Sequence, residues 1–343
     1  MPLELKNSRV LFVSANCYPP FAGDSLFSYG IIKSLNIHND ITVLTLSSID
    51  ENTENELLSA DWINTSEIGG WAKHIVRYVR YGSFSLIGPV HLDKDIVSKK
   101  WDYVVIDHLR SYGMISHVLS KLKYSYLYYL AHNIESFNRK QKISFSNSTK
   151  EKIIESLNRG IDRQEKELIN KADKVFTLTD QDAFVVRNMF LKKDVLIQSP
   201  IYPFKYKKRQ NTAKGILLIG SLNWFPNRLG VHDFLTSLTD DVLQNRPVYI
   251  VGSYPIEFKE RWEKENINFC GFVEDLEIMY DKCEYLVVPN IYGTGIKMKV
   301  LDGLHNGLKV LAVKESAVGY SINSYKDLIV FSDVNEIIDF LVE

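Results

Sequence analysis

The sequence predicts an α/β fold with two doubly wound parallel-sheet domains, and this prediction rests on the chain's length and on two series of strand-like runs. The chain has 343 residues, which is more than one hydrophobic core usually serves. Short runs of branched and aromatic residues alternate with longer helix-like segments. Because these runs are continuously apolar rather than alternating in polarity, we expect parallel strands that are buried on both faces.

The predicted strands fall into two groups. The first group comprises RVLFVSA (9–15), ITVLTL (41–46), YVVIDH (103–108), SYLYYLAH (125–132) and KVFTLT (174–179). The second comprises GILLIGSL (215–222), VYIVGSY (248–254), INFCGFV (267–273), YLVVPNI (285–291) and KVLAV (309–313). Between them, the proline-containing basic segment 198–214 has the composition of a linker. We therefore expect two Rossmann-like domains, 1–204 and 205–343, that face a central cleft, where such folds bind ligands.

The composition indicates a globular protein of the cytoplasm. Lys and Arg total 41 and Asp and Glu total 42, so the molecule has no overall basic field that would attract nucleic acid. The three cysteines, Cys17, Cys270 and Cys283, lack a C-x-x-C pair, which argues against a disulfide framework or a zinc site. The N-terminal residues are typical of a first strand rather than a signal peptide, and no run reaches the roughly 18 apolar residues of a membrane span.

The stretch GTGIKMKVLDG at 293–303 is typical of an anion site. A predicted strand ends just before it, and helix-forming residues continue from Ile296. Gly293 and Gly295 let backbone N–H groups approach a ligand, and a helix N-terminus carries about half a positive charge. We expect a phosphate here, although an ordinary β–α turn has the same Gly-x-Gly pattern.

Two lysines and an aspartate follow these glycines. Lys297 and Lys299 offer full charges, but their spacing places them on different helix faces, so we expect one of them to reach the anion. Asp302 lies on the same face as Lys299. Its carboxylate suits the two hydroxyls of a ribose, or alternatively an ion pair with that lysine.

Two further loops follow strands of the second group. In GSLNWFPNRLGV (220–231), Gly220 closes a strand, and Asn227 and Arg228 stand just before a helix. Arg228 is either a second phosphate partner or a solvated arginine. In CGFVEDL (270–276), the backbone of Phe272 and Val273 is open to a flat heterocycle. Loops at the carboxyl ends of parallel strands converge on one crevice, so we expect these three loops to share a ligand.

The order of these motifs resembles that of the GT-B glycosyltransferases of family 4, and the resemblance covers almost the whole chain. The runs that carry it are YPPFAGDS (18–25), AHNIES (131–136), KADKVFTLTDQD (171–182), LLIGSLNWFPNRLGV (217–231), VYIVGS (248–253) and the block from Phe269 to Val313. The resemblance implies a retaining enzyme of surface-polysaccharide synthesis. Its donor would be a nucleotide-sugar, a UDP-sugar in particular, and its acceptor a hydroxyl of a glycan or lipid-linked saccharide.

The resemblance also implies roles for residues of the C-terminal half. Lys299 and Arg228 would stabilise the charge that develops on the diphosphate. The residues that would contact the nucleotide-sugar are Gly220, Phe272, Val273, Gly293, Thr294, Gly295, Ile296, Lys297 and Asp302. Members of the family commonly carry two glutamates eight residues apart. Here Tyr292 stands just before the glycine, where the first glutamate would fall, and Asp302 matches the second two residues late.

In the N-terminal half, the resemblance implies an acceptor side. Gly23 would be the small loop residue that lets this domain approach the donor diphosphate. His132 would face the sugar near its anomeric carbon and act in catalysis, with Glu135 beside it. Asp107 and His108 end the neighbouring strand and are candidates for the acceptor pocket.

Two features concern metals and membranes. Asp180-Gln181-Asp182 has the form of a D-x-D metal motif, but its place between a strand and a helix favours an N-cap, and we predict no metal or other cofactor. The segment 71–84 places Lys73, Arg77 and Arg80 beside apolar residues, a pattern typical of an ordinary surface helix or of a helix on an anionic membrane. The segment 148–171 predicts one solvated amphipathic helix.

Other functions remain open at this point. The departures at Tyr292 and Asp302 leave room for a non-catalytic GT-B protein that binds a glycan or a partner enzyme. A sugar-nucleotide epimerase also uses two Rossmann-like halves. A classical dehydrogenase is disfavoured because G-x-G-x-x-G does not follow the first strand.

Overall fold

A computed structural model describes residues 3–18, 23–47, 60–67, 72–84, 86–145, 149–209, 213–292 and 295–343 of the chain. The chain divides into two compact units, Met1–Pro203 and Phe204–Glu343. Each unit contains one parallel sheet with helices that alternate with its strands. The predicted fold class of two parallel-sheet α/β domains is therefore confirmed.

The first unit has a seven-stranded sheet in its described part, with the order β3-β2-β1-β4-β5-β6-β7 and parallel pairing throughout. Its strands are β1 (Arg9–Ser14), β2 (Asp40–Thr45), β3 (Asp61–Asn64), β4 (Lys100–Asp107), β5 (Lys123–Ala131), β6 (Lys174–Thr177) and β7 (Val195–Ile197). Its α-helices are α1 (Gly23–Asn36), α2 (Lys73–Tyr81), α3 (Lys94–Ser98), α4 (Leu109–Ile115), α5 (Glu135–Phe145), α6 (Thr149–Leu157), α7 (Gly160–Lys171) and α8 (Asp180–Met189). The order reverses between β1 and β4, which is where doubly wound sheets open a crevice.

The second unit has a six-stranded parallel sheet in its described part, with the order β10-β9-β8-β11-β12-β13. Its strands are β8 (Gly215–Ile219), β9 (Val248–Val251), β10 (Ile267–Gly271), β11 (Cys283–Val288), β12 (Lys309–Val313) and β13 (Leu328–Phe331). Its α-helices are α9 (Phe225–Ser237), α10 (Asp240–Asn245), α11 (Ile256–Trp262), α12 (Glu277–Lys282), α13 (Met298–His305) and α14 (Val334–Val342). Here the order reverses between β8 and β11.

The central strands form because both of their faces are buried. After its first residue, every position of β1 is buried, and β11 and β12 are similarly covered. The sequence did not predict β3, β7 and β13. These strands have only three or four residues, and most of their side chains are partly exposed, so they lack a long apolar signal.

The prediction of a single helix over 148–171 is wrong, because the segment contains two helices, α6 and α7. The side-chain oxygen of Asn158, between them, accepts a hydrogen bond from Ser83 Oγ at 3.0 Å. Gly160 opens α7 against the backbone at the end of α2, where a Cβ atom would overlap the carbonyl oxygen of Tyr81. The break lets α7 pack into the core, whereas α6 keeps its apolar residues at the surface.

The D-x-D sequence begins helix α8. Thr179 is the N-cap: its Oγ1 accepts from the Asp182 backbone N–H at 3.0 Å and donates to Asp182 Oδ2 at 2.7 Å. Among the described residues, no group of three or more His, Cys, Asp and Glu side chains is placed to hold a metal ion. The same residues include no helix with the length and apolar character needed to span a bilayer.

Candidate active site

A lysine held by two asparagines lies at the carboxyl edge of the second sheet. Lys299, in the first turn of α13, donates from Nζ to Asn227 Oδ1 at 3.0 Å and to Asn290 Oδ1 at 3.1 Å. Asn290 also donates from Nδ2 to Asn227 Oδ1 at 2.9 Å. Asn227 follows β8 and Asn290 follows β11, the two strands at which the order reverses. Side chains that follow both of these strands therefore meet at one ammonium group.

Two glycines allow these loops to come together. Gly220, directly after β8, has φ of +134°, and a Cβ atom there would lie 2.6 Å from Asn227 Nδ2 and 3.4 Å from Lys299 Nζ. Gly230 lets α9 touch the end of β11, because a Cβ atom on it would overlap the carbonyl oxygen of Pro289. Close approach of the backbone therefore positions both asparagines around the lysine.

Among the described residues, the charge of Lys299 has no carboxylate partner. Within the described part of the chain, every hydrogen-bond acceptor of its Nζ is a neutral amide oxygen, and no acidic side chain forms an ion pair with it. Burial, and to a smaller extent the nearby charge of Lys297, lowers the pKa of Lys299 to about 7. A cation that is partly withdrawn from water without an anion beside it is costly. The site is therefore electrostatically suited to receive a negatively charged ligand.

The residues before α13 complete this cation site. Gly295 has φ of +76°, the left-handed conformation that glycine adopts readily. Lys297 is the N-cap residue of α13, is buried, and donates from Nζ to the Gly295 carbonyl at 3.2 Å. Lys297 thus lies before the helix rather than on its opposite face, and it is close enough to influence the pKa of Lys299. Ile296, between Gly295 and Lys297, is partly exposed.

A second polar cluster lies at the carboxyl edge of the first sheet. Asp107, the last residue of β4, is buried and accepts through Oδ2 from Ser14 Oγ and Ser28 Oγ, both at 2.6 Å. His132, directly after β5, places Nε2 2.6 Å from Asp107 Oδ1. Because an ionised carboxylate only accepts, Nε2 of His132 carries a hydrogen.

The ionised form of Asp107 is favoured by these partners. Burial is the largest influence and raises its pKa, but the charge and hydrogen bond of His132 and the two serine hydroxyls outweigh it. The pKa of Asp107 is therefore lowered. A buried carboxylate that remains charged fixes the orientation of the imidazole next to it.

His108 extends the cluster. Its backbone has φ of +65° and ψ of 143°, a conformation that costs a non-glycine residue about 1–3 kcal/mol and is common at functional sites. Its Nδ1 accepts from the Arg110 backbone N–H at 3.2 Å, so Nε2 carries the hydrogen and lies 3.2 Å from Glu135 Oε1. Burial lowers the pKa of His108. The rings of His108 and His132 meet edge to face at 5.2 Å.

The start of helix α1 borders the same cluster. Gly23 is its first residue, and Asp24 accepts from Arg110 Nη2 at 2.7 Å. Arg110 is the second residue of α4, directly beyond the strained His108. The first unit therefore collects two histidines, three carboxylates and an arginine around the ends of β4 and β5.

Solved structures resemble this chain over nearly its whole length. HepE from Anabaena, in a crystal structure with UDP-glucose, has a TM-score of 0.62 and 13% identity, over 98% of this chain and 89% of that one. WaaG, a glycosyltransferase involved in lipopolysaccharide biosynthesis, has 0.62 and 16%, over 97% and 90%. TarM has 0.63 and 10%, over 99% and 92%. At these identities, the likeness establishes a common fold.

The second unit carries the match to a sequence family. Residues 213–343 match the family described as glycosyl transferases group 1. The whole chain has the GT-B fold, in which the second unit matches this glycosyltransferase family. It is also similar to an uncharacterized 44.6 kDa protein in the cps region of Klebsiella pneumoniae, with 22% identity over 95% of this chain and 88% of that protein.

The other residues predicted from the sequence are placed as follows. Arg228 donates from Nη1 to the carbonyl of Leu222 at 3.0 Å, so it braces the loop after β8, and Asn227 is the residue of this pair that reaches Lys299. Asp302 accepts through Oδ2 from the Tyr280 hydroxyl at 2.5 Å and through Oδ1 from Asn306 Nδ2 at 3.2 Å.

Two predicted loops remain: the structure describes 270–276 in full and 293–296 only in part. Phe272 is 75% exposed after β10, and Val273 beside it is partly exposed. Gly293 and Thr294 lie outside the described residues. The roles assigned to these positions from the sequence remain predictions.

Sequence reasoning missed Asn227 and Asn290 as partners of Lys299, and Ser14 and Ser28 as partners of Asp107. Asn227 was visible only as a loop residue before a helix. A repeated signal was nevertheless present, because each asparagine stands a few residues after a buried strand of the second group. Short polar residues at strand ends deserve inspection as a set, since these ends share one edge of the sheet.

Proposed function

We propose that this protein is a glycosyltransferase that takes its sugar from a UDP-sugar and binds the diphosphate at Lys299. The observation that carries this proposal is the partly buried ammonium group of Lys299, which has two neutral amide partners and lies at the start of a helix that follows a glycine loop. A diphosphate would supply the missing negative charge. The choice of uridine is supported by HepE, a protein of the same fold that binds UDP-glucose.

In the proposed reaction, an acceptor hydroxyl forms a bond to the anomeric carbon as the bond from that carbon to the diphosphate breaks. The hydroxyl proton ends on the released UDP. Negative charge grows on the leaving phosphate, so Lys299 stabilises the transition state more than the bound donor. Because Lys299 takes this part, we propose that transfer needs no metal ion or other cofactor.

The group that faces the reacting carbon of the sugar, and the acceptor pocket, are assigned to the first unit. His132, oriented by Asp107, is proposed to face the oxocarbenium-like sugar, and Gly23 to border the diphosphate. His108 and Glu135 are proposed to line the acceptor pocket. Retention of anomeric configuration and a place in surface-polysaccharide synthesis are also part of the proposal, and the similarity to a protein of a cps region supports the latter.

A thermal-shift screen of UDP-, GDP-, ADP-, TDP- and CMP-sugars tests the donor assignment. A ligand at 100 times its Kd stabilises the native state by about 2.7 kcal/mol, which corresponds to a rise in Tm of roughly 5–10 °C for a unit of this size. We expect this rise with UDP-sugars and its loss in Lys299→Gln. An equal rise in the variant, or no rise with any donor, would contradict the proposal.

We further propose that the acceptor is lipid-linked and that helices α2 and α6 place the enzyme on an anionic membrane. On α2, Ile75 is 61% and Val79 is 79% exposed, and on α6, Ile153 is 55% exposed. Both helices line one groove of about 760 Å³, whose cationic lining residues are Lys152, Arg159 and Arg163. Apolar side chains bordered by cations suit the surface of an anionic bilayer.

The structure refines which cations are available to the membrane. Arg77 forms hydrogen bonds through Nε and Nη2 to the carboxylate of Glu67, and its side chain is only 12% exposed. Lys73 and Arg80 are exposed. Among the cations of α2, Lys73 and Arg80 therefore supply the electrostatic part of the proposed contact. Trp71 lies outside the described residues.

Flotation with vesicles that contain phosphatidylserine tests the membrane contact. Each lysine or arginine near an anionic surface contributes about 1 kcal/mol, so we expect Lys73→Ala/Arg80→Ala to lower the partition coefficient by roughly 30-fold. Ile75→Ser/Val79→Ser should weaken it on neutral vesicles as well. The matched control is Ile256→Ser, which removes another exposed isoleucine, 57% exposed, from the second unit. Equal flotation of all the variants would rule out this surface.

A further inference from the structure

Three aromatic residues lie in the two segments that supply the asparagine partners of Lys299. Trp224, 48% exposed, precedes α9, and Phe225 begins that helix. The rings of Phe225 and Tyr292 meet edge to face, with their centroids 6.0 Å apart. We refer to Trp224, Phe225 and Tyr292 as the aromatic wall.

The aromatic wall is tied to the residues that hold Lys299. Phe225 is two residues before Asn227, and Tyr292 is two residues after Asn290. Arg228 packs against one ring of the wall, because its guanidinium carbon lies 5.9 Å from the centre of the Phe225 ring. Its Nη1 donates to the carbonyl of Leu222. The rings are therefore positioned by the same two loops as the cation.

The order of the strands indicates which part of the donor meets the wall. Phe272, the proposed contact of the base, follows β10, which is two strands away from β8. The wall and Lys299 belong to the loops after β8 and β11 and to the start of α13. With the nucleoside toward β10 and the diphosphate at Lys299, the sugar is the remaining group of the donor that the wall can contact.

The segments that form this border contain no acidic residue. Neither 215–232 nor 285–301 includes Asp or Glu. A sugar bound there would face aromatic rings and amides where a carboxylate would otherwise accept hydrogen bonds from its hydroxyls. A hydroxyl pressed against an aromatic ring loses its hydrogen bonds to water without replacement, whereas a methyl group gains free energy by burial.

We propose that the aromatic wall selects a donor sugar that carries a methyl group, as a 6-deoxy sugar or an N-acetylamino sugar does, over a fully hydroxylated hexose. This inference rests on the proposed function, since it takes the diphosphate to bind at Lys299. It adds a substrate class and names Tyr292 as a specificity-determining residue. The methyl group would lie against the rings of Phe225 and Tyr292, and the remaining hydroxyls would stay on the side away from the wall.

Isothermal titration with three donors tests the inference. UDP-6-deoxyglucose lacks only O6 of UDP-glucose, and UDP-N-acetylglucosamine replaces only its 2-hydroxyl. We expect at least one of the two methyl-bearing donors to have a Kd about tenfold or more below that of UDP-glucose, from methyl burial and the avoided loss of a solvated hydroxyl. The donor that gains shows which carbon of the sugar faces the wall.

Two variants separate the aromatic ring from a general loop effect. Tyr292→Phe keeps the ring and should preserve the ratio of the Kd values, whereas Tyr292→Glu should bring the ratio to one or invert it. Equal or tighter binding of UDP-glucose by the wild type, or an unchanged ratio in Tyr292→Glu, would overturn the inference. UDP alone tests the proposed function separately: no binding of UDP would overturn both proposals, whereas binding of UDP with a preference for UDP-glucose would overturn this one alone.

Discussion

Replacing Lys299 by glutamine is expected to lower kcat/KM by about 10²–10³-fold, because it removes the full positive charge that would stabilise the leaving diphosphate. The affinity for a UDP-sugar should also fall, since a charge-assisted hydrogen bond contributes about 1.5–3 kcal/mol. The glutamine amide can still donate to Asn227 or Asn290, so the two loops should remain together. Activity and folding are therefore separable at this position.

The pH dependence gives a second measurement at Lys299. Its pKa is lowered to about 7, so the amine is charged below pH 7 and is increasingly neutral above it until an anion binds. Binding of the donor above pH 7 must then take up a proton. We expect the affinity for a UDP-sugar to be constant from pH 6 to 7 and to fall toward tenfold per pH unit above that, as linkage requires. The diphosphate of a UDP-sugar does not titrate in this range.

The stability of the free enzyme should have the opposite trend. The unfolded chain holds the proton of Lys299 up to its ordinary pKa of 10.5, whereas the folded protein releases it near pH 7. The free energy of unfolding therefore rises with pH between these two values. In Lys299→Gln this contribution is absent, and we expect a Tm at pH 6 that is equal to or above that of the wild type.

The matched control for this prediction is Lys326→Gln. The side chain of Lys326 is 88% exposed, and the residue precedes β13 at the opposite, amino edge of the same sheet. Lys326→Gln removes one lysine charge from the same unit, as Lys299→Gln does. Because Lys326 lies at the opposite edge of the sheet, its substitution should leave kcat/KM and the pH dependence of binding unchanged. If Lys299→Gln behaves like this control, Lys299 does not bind the diphosphate.

In the second unit, the sequence indicated Lys299 but not the asparagines that hold it. Lys299 could be found because two glycines and a helix start precede it in a continuous stretch. Asn227 and Asn290 could not, since asparagine is common in turns and these two are 63 residues apart. Their contact depends on Gly230, which lets α9 approach the end of β11.

The first unit repeats this distinction. Asp107 and His132 were visible as polar residues at the ends of apolar strands, because parallel strands bring such ends to one edge. Ser14 and Ser28 carried no signal, since small hydroxyl residues occur throughout folded proteins. The edge strands β3, β7 and β13 were missed because pairing with a neighbour, rather than their own apolar character, makes them strands.

Replacing Asp107 by alanine is expected to destabilise the protein by about 3–5 kcal/mol, the usual cost of removing one partner of a buried charged pair. The change leaves His132 and the hydroxyls of Ser14 and Ser28 without their acceptor. The pKa of Asp107 is lowered, so its stabilising contribution is complete above the carboxyl's ordinary pKa of 3.8 and is lost as the pH falls through the lower value. Urea denaturation at pH 7 measures the full effect.

Asp107→Asn separates the charge from the hydrogen bonds. Its amide oxygen can accept from His132 and its amide nitrogen can donate to a serine hydroxyl, so we expect a cost of about 1 kcal/mol. If Asp107 orients His132 at the reacting sugar, kcat should nevertheless fall by roughly 100-fold, the lower end of the loss when one electrostatic contribution to the transition state is removed, while the KM for the donor stays unchanged. A fall in stability without a fall in kcat would leave Asp107 with a purely structural role.

The comparison that decides the Asp107 prediction uses the same strand. Asp102, near the start of β4, accepts from the Arg9 backbone N–H at 2.8 Å in an exposed position. Asp102→Ala removes an equal charge and a hydrogen bond from water-accessible surroundings, so it should cost less than about 1 kcal/mol. A double-mutant cycle with His132→Ala should then give a coupling energy above about 1.5 kcal/mol for Asp107 and near zero for Asp102. Equal costs for the two aspartates would show that the buried pair does not stabilise the first unit.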